Sequence, residues 1–312
     1  MAHRPARTLA EVLDDALRRT PLTPVDVESP ATADGEVVEQ VRSTLEDAAG
    51  AAVPTGRWSA GDPLRLAKGT VSWLLRCPQR ALVHDDGGAS DDLVAGLAVD
   101  AAAKLATLVP HRPPTAETAL AYLAATGDTT AADHLADLGD RAARLVDDIA
   151  ARIDLLAATW PTIEPDWWPR VEEPVRVRLG DGAVQLAGRL DLLLGGPPSA
   201  RPPVVVEVKG GRWYDGMRAD GHFYALLAAL RDGVPPRAVV TVVADGTTQV
   251  EPVRPAVLVT AAERVAEAMQ VAAAIAAGEP PAVHPGSHCV HCPLRSDCAA
   301  GRTWRADDPL AG

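Results

Sequence analysis

The hexapeptide VVVEVK, residues 204–209, constrains the fold of this chain more than any other segment. Val204 to Val206 form an unbroken β-branched run between Pro202-Pro203 and Gly210-Gly211, and such a run suits a strand buried on both faces. Upstream, VEEPVRVRLG sets Val171, Val175, Val177 and Leu179 among charges as a strand would, Asp181-Gly182 is a hairpin signal, and AVQLAGRLDLLLG reads as a second strand. Downstream, a helix over about 216–231 carries Phe223, Leu226, Leu227 and Leu230 on one face. RAVVTVVA and TTQVEPV then flank Asp245-Gly246 as a second hairpin, and an Ala-rich helix runs from about 260 to 277. Three strands, a helix, two strands and a helix predict an α/β (α+β) domain: a mixed five-stranded sheet core flanked by helices.

The residues before Pro161 have a different texture. Helical spacing and Pro or Gly punctuation predict helices over 8–19, 34–50, 90–109, 115–126 and 130–158. The expected organisation is an N-terminal helical extension over 1–65, a helical part carrying Cys77 over 66–160, the sheet core over 161–280, and a cysteine-rich tail over 281–312. Leu9, Val12, Leu13, Ala16 and Leu17 keep helical spacing at the N-terminus, so that segment reads as an amphipathic helix rather than a secretory signal. No eighteen apolar residues run together, and the expectation is a soluble, cytoplasmic protein with no membrane partner.

Charge excludes one class of function. With 30 Lys and Arg against 42 Asp and Glu the formal net charge is −12, which rules out holding nucleic acid by bulk positive charge. The acidity sits mostly in the first 160 residues, whereas the stretch 167–218 is net basic. Four cysteines are too few for a disulfide scaffold, yet Cys289, Cys292 and Cys298 fall close together, and clustered cytoplasmic thiols more often bind metal.

Asp191 on the second predicted strand, with Glu207 and Lys209 on the third, carries the most chemistry. Residues two apart on a strand share a face, and Asp191 on a neighbouring strand can meet them there. Buried charges must be paired or bind an ion. Two carboxylates suit a hard divalent cation such as Mg²⁺, with water and a substrate phosphate completing the octahedron. Lys209 would orient or deprotonate the attacking water, or offset charge on the phosphate. An EVK tripeptide alone is equally a Glu–Lys pair at a strand end; Asp191 within an apolar strand is what adds the metal reading.

GRLD, then EVKGG sixteen residues on, then a helix with Tyr224 in HFYALL, resembles the PD-(D/E)XK nuclease superfamily, specifically its RecB-like branch. The resemblance implies a restriction-endonuclease-like core in which Asp191 and Glu207 bind Mg²⁺ or Mn²⁺, the Val208 carbonyl is a further ligand, and Lys209 assists the water. Tyr224 matches the family's helix pattern, but Asp220 stands where the family has Gln. The family's iron–sulfur members commonly carry Gly-x3-His on an early helix; here Gly96 is followed by Asp100, either a metal ligand or a solvent-facing carboxylate. Of Glu172 and Glu173, Glu173 is assigned a metal contact through water and the other a surface charge.

TVSWLLRCPQR around Cys77 is similar to the segment that opens RecB-like nuclease domains, and HCVHCPLRSDC is similar to the late cysteine trio of AddB-type and CRISPR-adaptation nucleases. The resemblance implies a structural [4Fe–4S] cluster held by Cys77, Cys289, Cys292 and Cys298. Spacing alone equally allows Zn²⁺, because His284, His288 and His291 flank the trio and Cys3His is a tetrahedral zinc set.

Trp213 and Tyr214 after the Gly-Gly loop are placed to stack on unpaired bases, with Arg212 and Arg218 as phosphate partners. Trp167 and Trp168 read as packing. The resulting expectation is a metal-dependent deoxyribonuclease acting on DNA that is single-stranded or has free ends. It would serve repair, recombination or defence, with any unwinding left to a helicase partner, since no G-x4-GK[ST] loop is present. The alternative is a catalytically attenuated iron–sulfur DNA-binding or adaptor subunit of a helicase–nuclease complex.

Overall fold

The computed structural model describes residues 7–18, 31–53, 56–83, 88–199, 201–211, 213–214 and 216–304. In chain order the elements are α1 (Leu9–Leu17), α2 (Ala31–Ala52), β1 (Leu64–Leu66), α3 (Lys68–Arg76), α4 (Pro78–Ala81), α5 (Asp91–Leu108), α6 (Ala116–Ala125), α7 (Thr130–Leu138) and α8 (Ala142–Thr159). There follow β2 (Arg170–Leu179), β3 (Val184–Leu194), β4 (Val204–Lys209), α9 (Gly216–Asp232), β5 (Ala238–Val243), β6 (Thr248–Pro252), α10 (Pro255–Ala276) and α11 (Ala299–Thr303). The six strands form one mixed sheet in the order β1-β3-β4-β5-β6, with β2 also paired to β3.

The described residues divide into two compact units that interleave along the chain: 1–38, 88–175 and 189–258 in the first, and 39–87, 176–188 and 259–312 in the second. In the first unit β3 pairs β4 antiparallel, β4 pairs β5 parallel, and β5 pairs β6 antiparallel. The valine run behaves as its composition demands, for Val204 to Glu207 are all buried. Val204, Val206 and Val208 join Leu192, Leu194, Ala238, Val240 and Val242 in one core with α1, α5, α6 and α8. On α1 the residues Leu9, Val12, Leu13, Ala16 and Leu17 are the buried ones, as their spacing requires. Its N-terminus is closed by a reciprocal cap: the Glu11 amide donates to Thr8 Oγ1 at 3.2 Å and the Thr8 amide to Glu11 Oε2 at 2.8 Å.

One predicted helix is two. The span 130–158 breaks after Leu138, where Gly139 takes φ +55° and opens a 3-10 turn, Gly139–Arg141. Glycine enters that left-handed region without the Cβ clash other residues meet, and a lone glycine in an otherwise periodic pattern hides the break.

In the second unit the turn between β2 and β3 uses positive φ at Gly180, Asp181 and Gly182, and the Gly180 amide donates to Glu46 Oε2 at 2.7 Å. The sheet has one strand more than the five expected. Strand β1 pairs parallel with β3 from Leu64↔Val184 to Leu66↔Leu186. Three residues after a proline carry too short a pattern to be legible as a strand. Among the described residues no helix is long and apolar enough to cross a membrane.

Helix α5 approaches the end of β4 within the first unit because both present glycine there. A Cβ on Gly210 would lie 2.2 Å from Gly96 Cα, while one on Gly211 would meet nothing within 4 Å. Arg152 of α8 donates from Nη1 to the Gly210 carbonyl at 2.8 Å. Gly210→Ala is therefore expected to cost about 1–3 kcal/mol in thermal or urea denaturation, with Gly211→Ala close to neutral; equal effects would show that the approach is not a constraint.

Candidate active site

The sheet delivers its charges at the end of β4. Glu207 is 1% exposed, and Lys209, two residues on and therefore on the same face, donates from Nζ to Glu207 Oε2 at 2.6 Å. The pair supplies part of what a buried carboxylate needs. Asp191 lies on β3 one residue before the Leu192↔Val206 pairing, and its Oδ2 accepts the Val208 amide at 2.9 Å. That charge-assisted bond fixes the second carboxylate against the strand that carries the first. From α9 the buried Tyr224 reaches the same field, and burial, then the charges of Glu207 and Asp191, hold its phenol above the ordinary range.

Asp100 faces inward, into a small recess that it lines with Lys104, Trp160, Asp191 and Val208. Burial first, then the Asp191 charge, push its carboxyl up to about 6 against the opposing pull of Lys104. Lys104, itself 8% exposed, bridges Asp100 and Glu172, and Arg189 pairs with Glu172 from the other side. Of the two adjacent glutamates, Glu172 is thus the one joined to the Asp100 group. Glu173, assigned to the metal from sequence, is instead engaged by Arg231 at 2.8 Å and Arg170 at 3.6 Å. Glu172 takes φ +55°, so the alternation of β2 is interrupted there and strand parity could not assign the two side chains. Lys104 was missed from sequence although it stands four residues after Asp100, the spacing at which opposite charges meet on a helix.

The residue types at the end of β4 are those a hard cation prefers. Asp191, Glu207 and Asp100 supply carboxylate oxygens, and Asp100 Oδ1 is buried without a hydrogen-bond partner. Among the described residues, no three His, Cys, Asp or Glu side chains are grouped so as to hold a metal ion, neither at the end of β4 nor among the cysteines.

The cysteines all lie in the second unit as free thiols, Cys77 and Cys289 buried and the other two half-buried. The helix turn that follows Cys77 is tied to the chain leading into the trio, since the Gln79 amide donates to the Ala282 carbonyl at 3.1 Å. Trp73 and His288 meet edge to face at 5.7 Å. Two backbone amides point at sulfur: Gly286 N to Cys289 Sγ at 3.4 Å and Gly301 N to Cys298 Sγ at 3.3 Å. Burial and the nearby Arg76 charge lower the His288 pKa.

Of the residues expected to contact DNA, Arg212 lies outside the described residues. Trp213 and Arg218 line one cavity, and Tyr214 is 54% exposed with its ring over Gly216. Trp167 packs in the core of the first unit, while its neighbour Trp168 is 46% exposed at φ 53°.

The mixed sheet flanked by helices, with Glu207 and Lys209 at the end of β4 and Asp191 bonded to the amide between them, has the restriction-endonuclease-like architecture. The chain belongs to the PD-(D/E)XK nuclease superfamily, whose model matches residues 65–299. No curated protein matches it. It is similar to the crystal structure of SSO0001 at 12% identity, covering 75% of this chain and 96% of that one, with a TM-score of 0.31.

The raised pKa of Asp100 has a definite sign. The folded, metal-free protein keeps this proton up to about pH 6, whereas an unfolded aspartate loses it near 4. Its contribution to stability is therefore complete at the acid end and is lost as pH rises through that window. Asp100→Asn should raise the melting temperature of the metal-free protein at pH 7–8 and change it little near pH 4. An equal shift at both pH values would contradict the assignment.

Proposed function

We propose that this chain is a metal-dependent deoxyribonuclease of the cytoplasm, working on DNA that is single-stranded or has free ends, in repair, recombination or defence. The observation that carries the reading is the end of β4, where the buried Glu207 is bonded to Lys209 and Asp191 is bonded to the amide between them. Asp191 and Glu207, with the Val208 carbonyl, would hold Mg²⁺ or Mn²⁺, and Asp100 would add a fourth oxygen donor. Such an ion supplies positive charge to the scissile phosphate and acidifies bound water. Lys209, with its side chain 17% exposed, keeps its ammonium at the mouth of the site. There the ammonium orients the attacking water, and after passing a proton to Glu207 Oε2 at 2.6 Å the neutral amine can take the proton of that water. Lys104 offsets the negative charge of Asp100 and Glu172, so that the phosphate meets a balanced field. Tyr224 borders the carboxylates, and Trp213, Tyr214, Arg212 and Arg218 are the proposed DNA contacts.

Lys209→Ala is expected to lower cleavage of single- and double-stranded DNA by about 10²–10⁴-fold in Mg²⁺ or Mn²⁺, and Asp191→Ala to abolish the cleavage that either metal supports. A wild-type chain inactive with every metal would overturn the enzyme and favour an attenuated DNA-binding subunit of a helicase–nuclease complex.

The second part of the proposal is a structural [4Fe–4S] cluster on Cys77, Cys289, Cys292 and Cys298. Support comes from the tie between Gln79 and Ala282 and from amides directed at two of the sulfurs, since hydrogen bonds to cluster sulfurs are a recurrent feature of such sites. His288, a candidate for the competing zinc set, has its ring against Trp73. Anaerobically purified protein should show a broad visible absorption that Cys77→Ser removes. A colourless protein with one equivalent of zinc would overturn the cluster in favour of Cys3His.

A further inference from the structure

We propose that the first unit carries a dedicated pocket for one unpaired nucleobase of the DNA strand, with adenine preferred, at the sheet edge beside the candidate active site. The proposal rests on the nuclease reading and adds a specificity site to it. Trp213, Arg218, Gly221, Val239, Thr241, Gln249, Val250, Glu251 and Pro252 enclose a cavity of about 160 Å³. A space of that size accepts one aromatic ring, as an engineered cavity of about 150 Å³ accepts benzene.

The lining has the chemistry of base recognition. Trp213 offers an indole face for stacking, and Val239, Val250 and Pro252 supply the apolar remainder. Gln249 is exposed, and its amide both donates and accepts, the combination that pairs two-fold with adenine. Thr241 adds a buried hydroxyl. The one acidic residue of the lining, Glu251, has Arg218 Nε at 3.4 Å and His222 Nε2 at 2.9 Å, so the guanidinium offsets part of its repulsion of a phosphate strand. Arg218 remains 55% exposed and can meet the backbone of the bound nucleotide.

Register locates the pocket relative to the chemistry. Glu207 pairs Thr241 across β4 and β5, and Thr241 pairs Gln249 across β5 and β6. Paired residues share a face, so the three form one row running from the candidate metal ligand to the edge strand. Two strand spacings of about 4.8 Å set Gln249 about 10 Å from Glu207. At about 3.4 Å per stacked nucleotide, the base in the pocket would lie within roughly three nucleotides of the scissile phosphate. Gly221 keeps α9 close over this row, since a Cβ there would meet Val239 Cγ1 at 2.8 Å.

The test is binding of fluorescently labelled oligo-dA and oligo-dT, about ten nucleotides long, to the full chain in EDTA, read by anisotropy. The wild type should prefer oligo-dA. Trp213→Ala should weaken that binding about tenfold while Trp213→Phe retains most of it, and Gln249→Ala should erase the preference for dA over dT. Variants that bind like the wild type, a wild type without preference, or no single-strand binding at all would each overturn the pocket. A protein that cleaves DNA yet binds without regard to Trp213 and Gln249 would sink this inference alone. One that shows the predicted binding but cleaves nothing with any metal would instead sink the nuclease reading.

Discussion

A carboxylate held at 1% exposure near the end of a valine-rich strand is the constraint around which the first unit is arranged. Valine at 204, 205 and 206 makes β4 a central strand, and a central strand carries its next residues into the interior whatever their charge. Glu207 is then tolerable only with compensation, which the Lys209 ammonium on the same face provides, while the Val208 amide between them does the same for Asp191. Burial makes the strand rigid, and rigidity is what a site for positioning a phosphate and a water requires.

The same logic extends to α5. An aspartate at 100 adds a third carboxylate to a region already negative, and its raised pKa records that cost. The helix answers one turn later with Lys104, which also reaches Glu172, while Arg189 closes the row. The carboxylate at 100 thus comes with its own counter-ion, Lys104. The glycines at 96 and 210 let this helix lie against the end of β4 closely enough for Asp100 and Asp191 to line one recess.

The second unit follows a different principle. It has its own buried residues, among them Leu45, Leu66, Leu179, Leu186 and Met269, and adds individual ties such as Gly180 to Glu46 and Gln79 to Ala282. A cluster on the four cysteines would close a chain segment of more than two hundred residues, and because loop-closure entropy grows only slowly with length, such a staple stabilises without demanding a large core.

By itself the sequence determined the order and kind of the main elements, because continuous β-branched runs, hairpin signals and helical spacing are local properties. Val204–Val206, Asp181-Gly182 and the stripe on α1 were legible in this way, and so were Asp191, Glu207 and Lys209 as a set, through parity on a strand. It did not determine that Gly139 ends a helix, that Leu64–Leu66 joins the sheet, or that Glu172 rather than Glu173 turns toward Asp100. Nor did it bring Trp213, Thr241 and Gln249 around one cavity. Those outcomes depend on register and on which surfaces come close, and both are decided only when distant segments pack, since a shift of one residue along a strand reverses the face that every side chain presents.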